Sequence, residues 1–427
     1  MKCRSRRVRF DGCHNPELGH RLSLMSGRVV IMGGGVAGLE ALLALHDLAG
    51  DRAEVTLVAP DPDFLYKPLL VEEPFDLGPA ERHALEPVAE ELGARFLLDS
   101  VRRVDAAKHA LELDGGRRLD YDYAIVCTGG RFHPAFDGVT TFPAGEPLRI
   151  NELLRAERPS RQLFFVVPSG VTWALPIYEI ALMTQRRALE LGTSVELTVV
   201  TPEEAPLAVF GPAASAAVSE LLSARGIAVE TAVHAHQESA SEIVLTPGGR
   251  RVAVADVIAL PAMAGPAIDG LPSDEGGFIP IDGHARIVGV DDVYAAGDGT
   301  NFPIKQGGIA TQEADGAAAD IAHRLGAAID PEPFRPVLRG KLLTGEESLQ
   351  LRSEIAGGGG EGAASLDALW WPPHKISGRY LAPWLYHGEV HAEPEPPGRT
   401  IDIDVALPVE WHEEPMALDP YRSVEID

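Results

Sequence analysis

Three glycines, Gly33, Gly35 and Gly38, interrupt an apolar run with the spacing that a pyrophosphate requires of a backbone. The run from Val29 to Met32 reads as a buried parallel strand, and an apolar helix pattern follows from Val36 to Leu48. In that context each glycine has its own task. Gly33 permits a tight turn, Gly35 lets a diphosphate approach the main chain, and Gly38 lets helix and strand pack closely. The free N–H groups at the helix start, from Val36 and Ala37 onward, and the positive end of its dipole complete an anion site.

Further residues with chemical potential follow in chain order. A strand over Glu54–Val58 should end in an acid for a ribose hydroxyl, about 20 residues after the last glycine. Ala59 stands there instead, so Asp61 is the best substitute; alternatively, Asp61 and Asp63 only start a turn. Lys67 could face phosphates or a ring, or simply be an exposed lysine. The strand Tyr123–Val126 runs into Cys127-Thr128-Gly129-Gly130, a turn that brings backbone close to something flat or charged. Cys127 itself reads first as a small buried hydrophobe. Another strand ends in Gly297-Asp298, where an aspartate can accept hydrogen bonds from polyol hydroxyls. Then come Lys305 and a helix opening at Gly307-Gly308-Ile309. Its N-terminus and the lysine would both favour an anion formed by two-electron reduction of a ring placed there.

A second strand–turn–helix unit begins at Gln162–Val167 but lacks the glycine pattern. Its turn keeps only Gly170, and Trp173 and Pro176 lie where small residues would admit a phosphate. The unit is expected to be a dinucleotide fold that has lost its usual nicotinamide site.

The elements that must position these residues alternate strand and helix, so the fold class is α/β. The expected layout is two Rossmann-like three-layer domains, the second inserted in the first, plus a small C-terminal domain. In numbers, 25–148 and 266–328 form the first domain, 149–265 the second, and 329–427 a cover or interface domain with an acidic tail. Within the last, Phe334–Gly345 reads as a hairpin pair of strands and Gly357–Gly360 as a flexible link. The aromatic stretch Trp370–Trp384 reads as core, interface or pocket wall. Residues 1–24 are basic and without periodicity, and they are expected to be a disordered extension, with Met25 as an alternative start. Asp11–His20 is polar where an export signal would be apolar.

With 427 residues and 45% apolar content, two or three domains are expected. A net charge of −26 argues against nucleic acid as a partner. No apolar run reaches the roughly 18 residues of a spanning helix, and no basic amphipathic helix supports peripheral membrane contact. Three cysteines, Cys3, Cys13 and Cys127, form no disulfide framework and suit a reducing, cytoplasmic setting. A homodimer is left open.

The ordered motifs Gly33-x-Gly35-x-x-Gly38, Cys127-Thr-Gly-Gly and Tyr294-Ala-Ala-Gly-Asp298 resemble those of FAD-dependent pyridine nucleotide–disulfide oxidoreductases. Within that superfamily the chain looks most like the sulfide:quinone oxidoreductase and type II NADH dehydrogenase branches. Pro176-Ile-Tyr-Glu179 resembles the former, and Ile309-Ala-Thr-Gln312-Glu-Ala the quinone-side helix of the latter. The resemblance implies FAD as cofactor, held by the glycine turn, Asp61, Lys67, Thr128, Gly129, Gly297 and Asp298. It implies Lys305 and Gln312 as catalytic, with Gly307, Gly308 and Ile309 against the ring, a quinone-like acceptor and no metal. Sulfide oxidation in that family uses a cysteine pair beside the flavin, and here no cysteine follows Cys127. The expected activity is therefore two-electron transfer through FAD from an unidentified small-molecule donor, without cysteine-dependent sulfide oxidation. The alternatives are an NAD(P)H dehydrogenase with an altered nicotinamide site and a non-catalytic flavin-binding electron-transfer or sensor subunit.

Overall fold

The structure, a computed structural model, describes residues 26–144, 147–156, 162–354 and 362–386. The N-terminal extension with Cys3 and Cys13, the link Gly357–Gly360 and the acidic tail beyond Glu389 lie outside the described residues.

The first α/β unit comprises β1 (Gly27–Met32), α1 (Val36–Leu48), β2 (Ala53–Ala59), β3 (Arg95–Leu98) and β4 (Tyr123–Val126). The second comprises β5 (Gln162–Val166), α2 (Leu175–Glu190), β6 (Glu196–Val200), α3 (Pro212–Ala224), β7 (Ala228–Glu230) and β8 (Val257–Ala259). The chain then returns to the first sheet with β9 (Val293–Ala295) and α4 (Gly307–Arg324). Last come β10 (Val337–Leu342), β11 (Leu349–Glu354), β12 (Ala363–Ser365) and the short α5 (Leu381–Tyr386). Two parallel five-stranded sheets result, ordered β9-β4-β1-β2-β3 and, beginning with Thr140–Thr141, then β8-β5-β6-β7. This is the doubled Rossmann-like architecture.

Burial explains the composition of these elements. β1 is covered on both faces, as parallel strands are, and only Arg28 reaches solvent. In α1 every residue from Ala37 to Leu45 is buried. A helix apolar all round must be enclosed on all sides, and α1 packs on the first sheet and on α4. A smaller core, with Phe164, Val166, Ile243 and Leu245, fills the space between the second sheet and a three-stranded antiparallel sheet over residues 234–253.

Strand register converts sequence spacing into a site. Met32 pairs with Val126, and Val126 with Ala295. The carboxyl ends of β1, β4 and β9 therefore share one row, and the glycine turn, Thr128-Gly129 and Gly297-Asp298 all leave from it. Ligands of open α/β sheets bind outside such carboxyl ends.

The expected hairpin within Phe334–Gly345 does not form. Val337–Leu342 is a single strand, and its antiparallel partner is β11. Gly340 has a packing role: a Cβ there would lie 2.5 Å from Phe210 Cζ. The chain actually turns at Gly345, where φ is +77°.

Candidate cofactor and redox site

The glycine turn is built for close contact on one side and left open on the other. Gly33 has φ +114°, and a Cβ on it would lie 2.3 Å from Cys127 O. A Cβ on Gly38 would lie 1.9 Å from Gly33 O, so strand exit and helix can touch only without side chains. Gly35 is exposed, and nothing lies within 4 Å of its missing Cβ. No side chain caps α1, so the amides of its first turn, including those of Val36 and Ala37, have no intrahelical partner.

Two other turns converge on this point. Gly297, with φ +89°, sits between the helix starts: a Cβ on it would be 3.3 Å from Ala37 Cβ and 3.4 Å from Ala310 Cβ. Gly299 approaches Gly129 O, which a Cβ would meet at 3.0 Å. Gly129 is in the left-handed region with open space around it, and Thr128 is exposed. The structure thus brings Gly33–Gly38, Thr128-Gly129 and Gly297-Asp298 around one slot. Asp61 stands exposed two residues past β2, and Lys67 is exposed at the start of the next turn.

Asp298 is half-buried and has no hydrogen-bond partner among the described residues; burial raises its carboxyl above the ordinary range, against the pull of Lys305 and Lys67. An acceptor in this setting suits a hydroxyl-bearing ligand. Two more polar atoms, Gln306 Oε1 and Ser377 Oγ, are buried near Gly308 and lack partners among the described residues. The exposed Gly35, the uncapped α1 and these orphaned atoms fit an extended dinucleotide such as FAD.

Beneath the slot lies a residue that reading the sequence missed. Glu313 is fully buried on α4, and its carboxylate accepts from Gly297 N (2.5 Å) and Thr300 Oγ1 (3.1 Å). It holds the Gly-Asp bend in place, and burial pushes its pKa upward. Lys305 is buried beside it, donating to Thr300 O and lying 4.1 Å from the centre of the Phe278 ring; burial pushes its pKa down, against the pull of Glu313 and Asp298. Glu313 follows Gln312 directly, but in sequence it looks like a solvated helix acid.

Two of the expected site residues make structural contacts. Gln312 makes a backbone clamp: its Nε2 donates to Gly308 O and Val337 O, and its Oε1 accepts from Val337 N at 2.8 Å. Its amide is thereby tied to the β10 side. Gly307 was expected to admit a ring, yet a Cβ there would lie 2.7 Å from Ile376 Cδ1. It admits the C-terminal segment.

That segment, residues 375–381, straps both units across the site. Lys375 pairs with fully buried Glu179 at 2.6 Å and donates to Pro68 O, while Glu179 also accepts from Leu343 N. Ile376 N donates to Tyr66 Oη, and Tyr380 N and Leu381 N donate to Glu40. The sequence signal for Glu179 is an acid set inside the apolar run Ile177–Leu182.

In the second unit, intrachain contacts occupy the carboxyl ends of β5 and β6. Just past β6, where a ribose acid would stand, Glu203 is buried and accepts from Tyr178 Oη (2.8 Å) and Thr201 Oγ1 (2.9 Å). Trp173 fills the turn after β5 and packs against Phe132, with ring centroids 5.1 Å apart. Cys127 is buried, and burial raises its thiol well above the ordinary range. Among the described residues no cluster suits a metal, and no helix is long and apolar enough to cross a membrane.

Comparison with known proteins agrees with this architecture. Residues 27–317 match the family profile described as pyridine nucleotide-disulphide oxidoreductase. The sulfide-quinone reductase of Aquifex aeolicus (strain VF5) is 24% identical over 190 residues, 42% of this chain and 44% of that protein. The ferredoxin–NAD(+) reductase component of the p-cumate 2,3-dioxygenase system of Pseudomonas putida is 28% identical over 151 residues, 34% of this chain and 37% of that protein. The chain therefore spans less than half the length of these two relatives. The crystal structure of the sulfide:quinone oxidoreductase from Aquifex aeolicus shares the fold, with a TM-score of 0.72 at 19% identity over 80% of this chain and 87% of that one.

Proposed function

The chain belongs to the pyridine nucleotide-disulphide oxidoreductase family, a family of FAD-binding flavoproteins, and we propose that it is an oxidoreductase passing two electrons through FAD. The observation that carries the reading is the convergence of Gly35, Gly129 and unpartnered Asp298 on one slot. The amides at the start of α1 hold the pyrophosphate, Asp298 takes a polyol hydroxyl, and Asp61 is the nearest acid for the adenosine ribose. Bound FAD supplies reversible two-electron chemistry. Lys305 places a cation beside Asp298, and Glu313 fixes the bend that aims Asp298. The strap 375–381 excludes water from the start of α4.

The acceptor is a quinone-like small molecule approaching on the side of the strap and its aromatic residues. The donor is neither a cysteine-bound sulfur nor a nicotinamide held in the second unit. Only Cys3 and Cys13 accompany Cys127 in the chain, and Glu203 is already satisfied by Tyr178.

The test is purification followed by anaerobic mixing. The protein is expected to be yellow with about one FAD per chain, and neither NADH nor NADPH should bleach it within minutes. Colourless protein that takes up no FAD removes the proposal. Rapid bleaching by NADH would instead establish a dehydrogenase.

A further inference from the structure

Trp173 stands at the carboxyl end of β5, where a ligand of the second unit would ordinarily lie. The structure turns this crest toward the first unit. Thr172 Oγ1 donates to Pro303 O at 2.5 Å, and Pro303 lies between Asp298 and Lys305. The indole packs on Phe132, in the strand that leaves Thr128-Gly129-Gly130. Both anchors of Trp173 therefore belong to segments that leave the slot of the first unit.

The indole Nε1 is buried and has no partner among the described residues. Trp370, by contrast, donates its Nε1 to His374 O at 3.1 Å. Buried donors are normally paired, and indoles usually find an acceptor when buried. An aromatic face and an unmatched donor beside a dinucleotide slot together suit a flat, acceptor-rich heterocycle.

We propose that Trp173 is a fixed aromatic cover on the second-unit side of the FAD ring, with its indole N–H offered to that ring. The inference rests on the flavin reading above. By covering this face, Trp173 keeps a nicotinamide or a thiolate from stacking there and leaves the strap side for electron exchange.

Emission of the bound flavin tests it in the full chain loaded with FAD. An indole in contact with excited flavin donates an electron and quenches it, whereas a phenyl ring does not. Trp173→Phe, which keeps the cover, should raise emission several-fold at unchanged FAD content while iodide, at constant ionic strength, still quenches it weakly. Trp173→Leu should be bright and readily quenched by iodide. If both variants retain FAD and emit as the parent does, Trp173 is not against the ring. If iodide reaches the flavin equally in Trp173→Phe and Trp173→Leu, it is no cover. Either result overturns the proposal while leaving the flavin reading intact. Absence of FAD from the parent protein would overturn that reading itself.

Discussion

Lys375 Nζ lies 2.6 Å from Glu179 Oε2, and the two side chains are only 6% and 0% exposed. The pair ties the strap near the described C-terminal end to the second turn of α2, over 196 residues of separation. Burial raises the Glu179 carboxyl, and Lys375 and the Leu343 amide oppose that shift. Removing one partner leaves an uncompensated buried charge, so Lys375→Ala should cost roughly 3–5 kcal/mol. Replacing both by leucine should cost less than the single change, as read from urea denaturation midpoints.

Gly35 and Gly38 should respond oppositely to added side chains. Gly35→Val meets open space, so unfolding temperature should hold while FAD content drops to near zero. Gly38→Ala drives a methyl onto Gly33 O, and overpacking of that kind costs roughly 1–3 kcal/mol. Calorimetry and flavin absorbance on the same samples separate the two effects.

Asp298 has no hydrogen-bond partner among the described residues and carries a desolvation penalty that Lys305 and Lys67 only oppose. Asp298→Ala should therefore leave the FAD-free fold as stable or more so. A hydrogen bond to a charged group contributes about 1.5–3 kcal/mol, so FAD affinity should fall roughly ten- to a hundredfold. Titration of apoprotein with FAD measures it.

Glu40 and Asp315 form a buried carboxyl pair in which both acids are raised, first by desolvation, with Asp315 donating to Glu40. Arg379 partly opposes the shift on Asp315, and Asp47 accepts from the nearby Tyr380 hydroxyl. Because the folded pair holds its proton more tightly than the unfolded chain does, stability is greatest at and below the ordinary carboxylate pKa. It declines as pH rises above that range. Asp315→Asn keeps a donor toward Glu40 without a titrating proton, so its denaturation midpoint should vary less with pH than the parent's. Parallel pH dependence in the two proteins would contradict the shared proton.

Much of the slot was legible in the sequence because its parts are local. Helix α1 runs from Val36 to Leu48 as the apolar pattern predicts, and glycines with special φ or close packing carry their own signal. Trp173 and Pro176 were readable as misfits to a phosphate turn. What could not be read was long-range pairing of charge. Glu40, Glu179 and Glu313 are all fully buried, yet an acid on a helix looks the same in sequence whether it meets water or a backbone amide 340 residues away. The backbone contacts of Gln312 were hidden for the same reason: its partner, Val337, lies in a strand whose register only the fold reveals.

The strap is held mostly through its main chain: the amides of Ile376, Tyr380 and Leu381 are the donors, and Tyr66 and Glu40 receive them. Such tethering depends little on the side chain at Tyr380, whose hydroxyl adds only a contact to exposed Asp47, so the grip survives most residues that keep an N–H. Proline is the one exception, since it deletes the donor. Saturation mutagenesis there should return near-uniform tolerance broken by a single intolerant residue type, a fingerprint that side-chain-mediated docking would not leave.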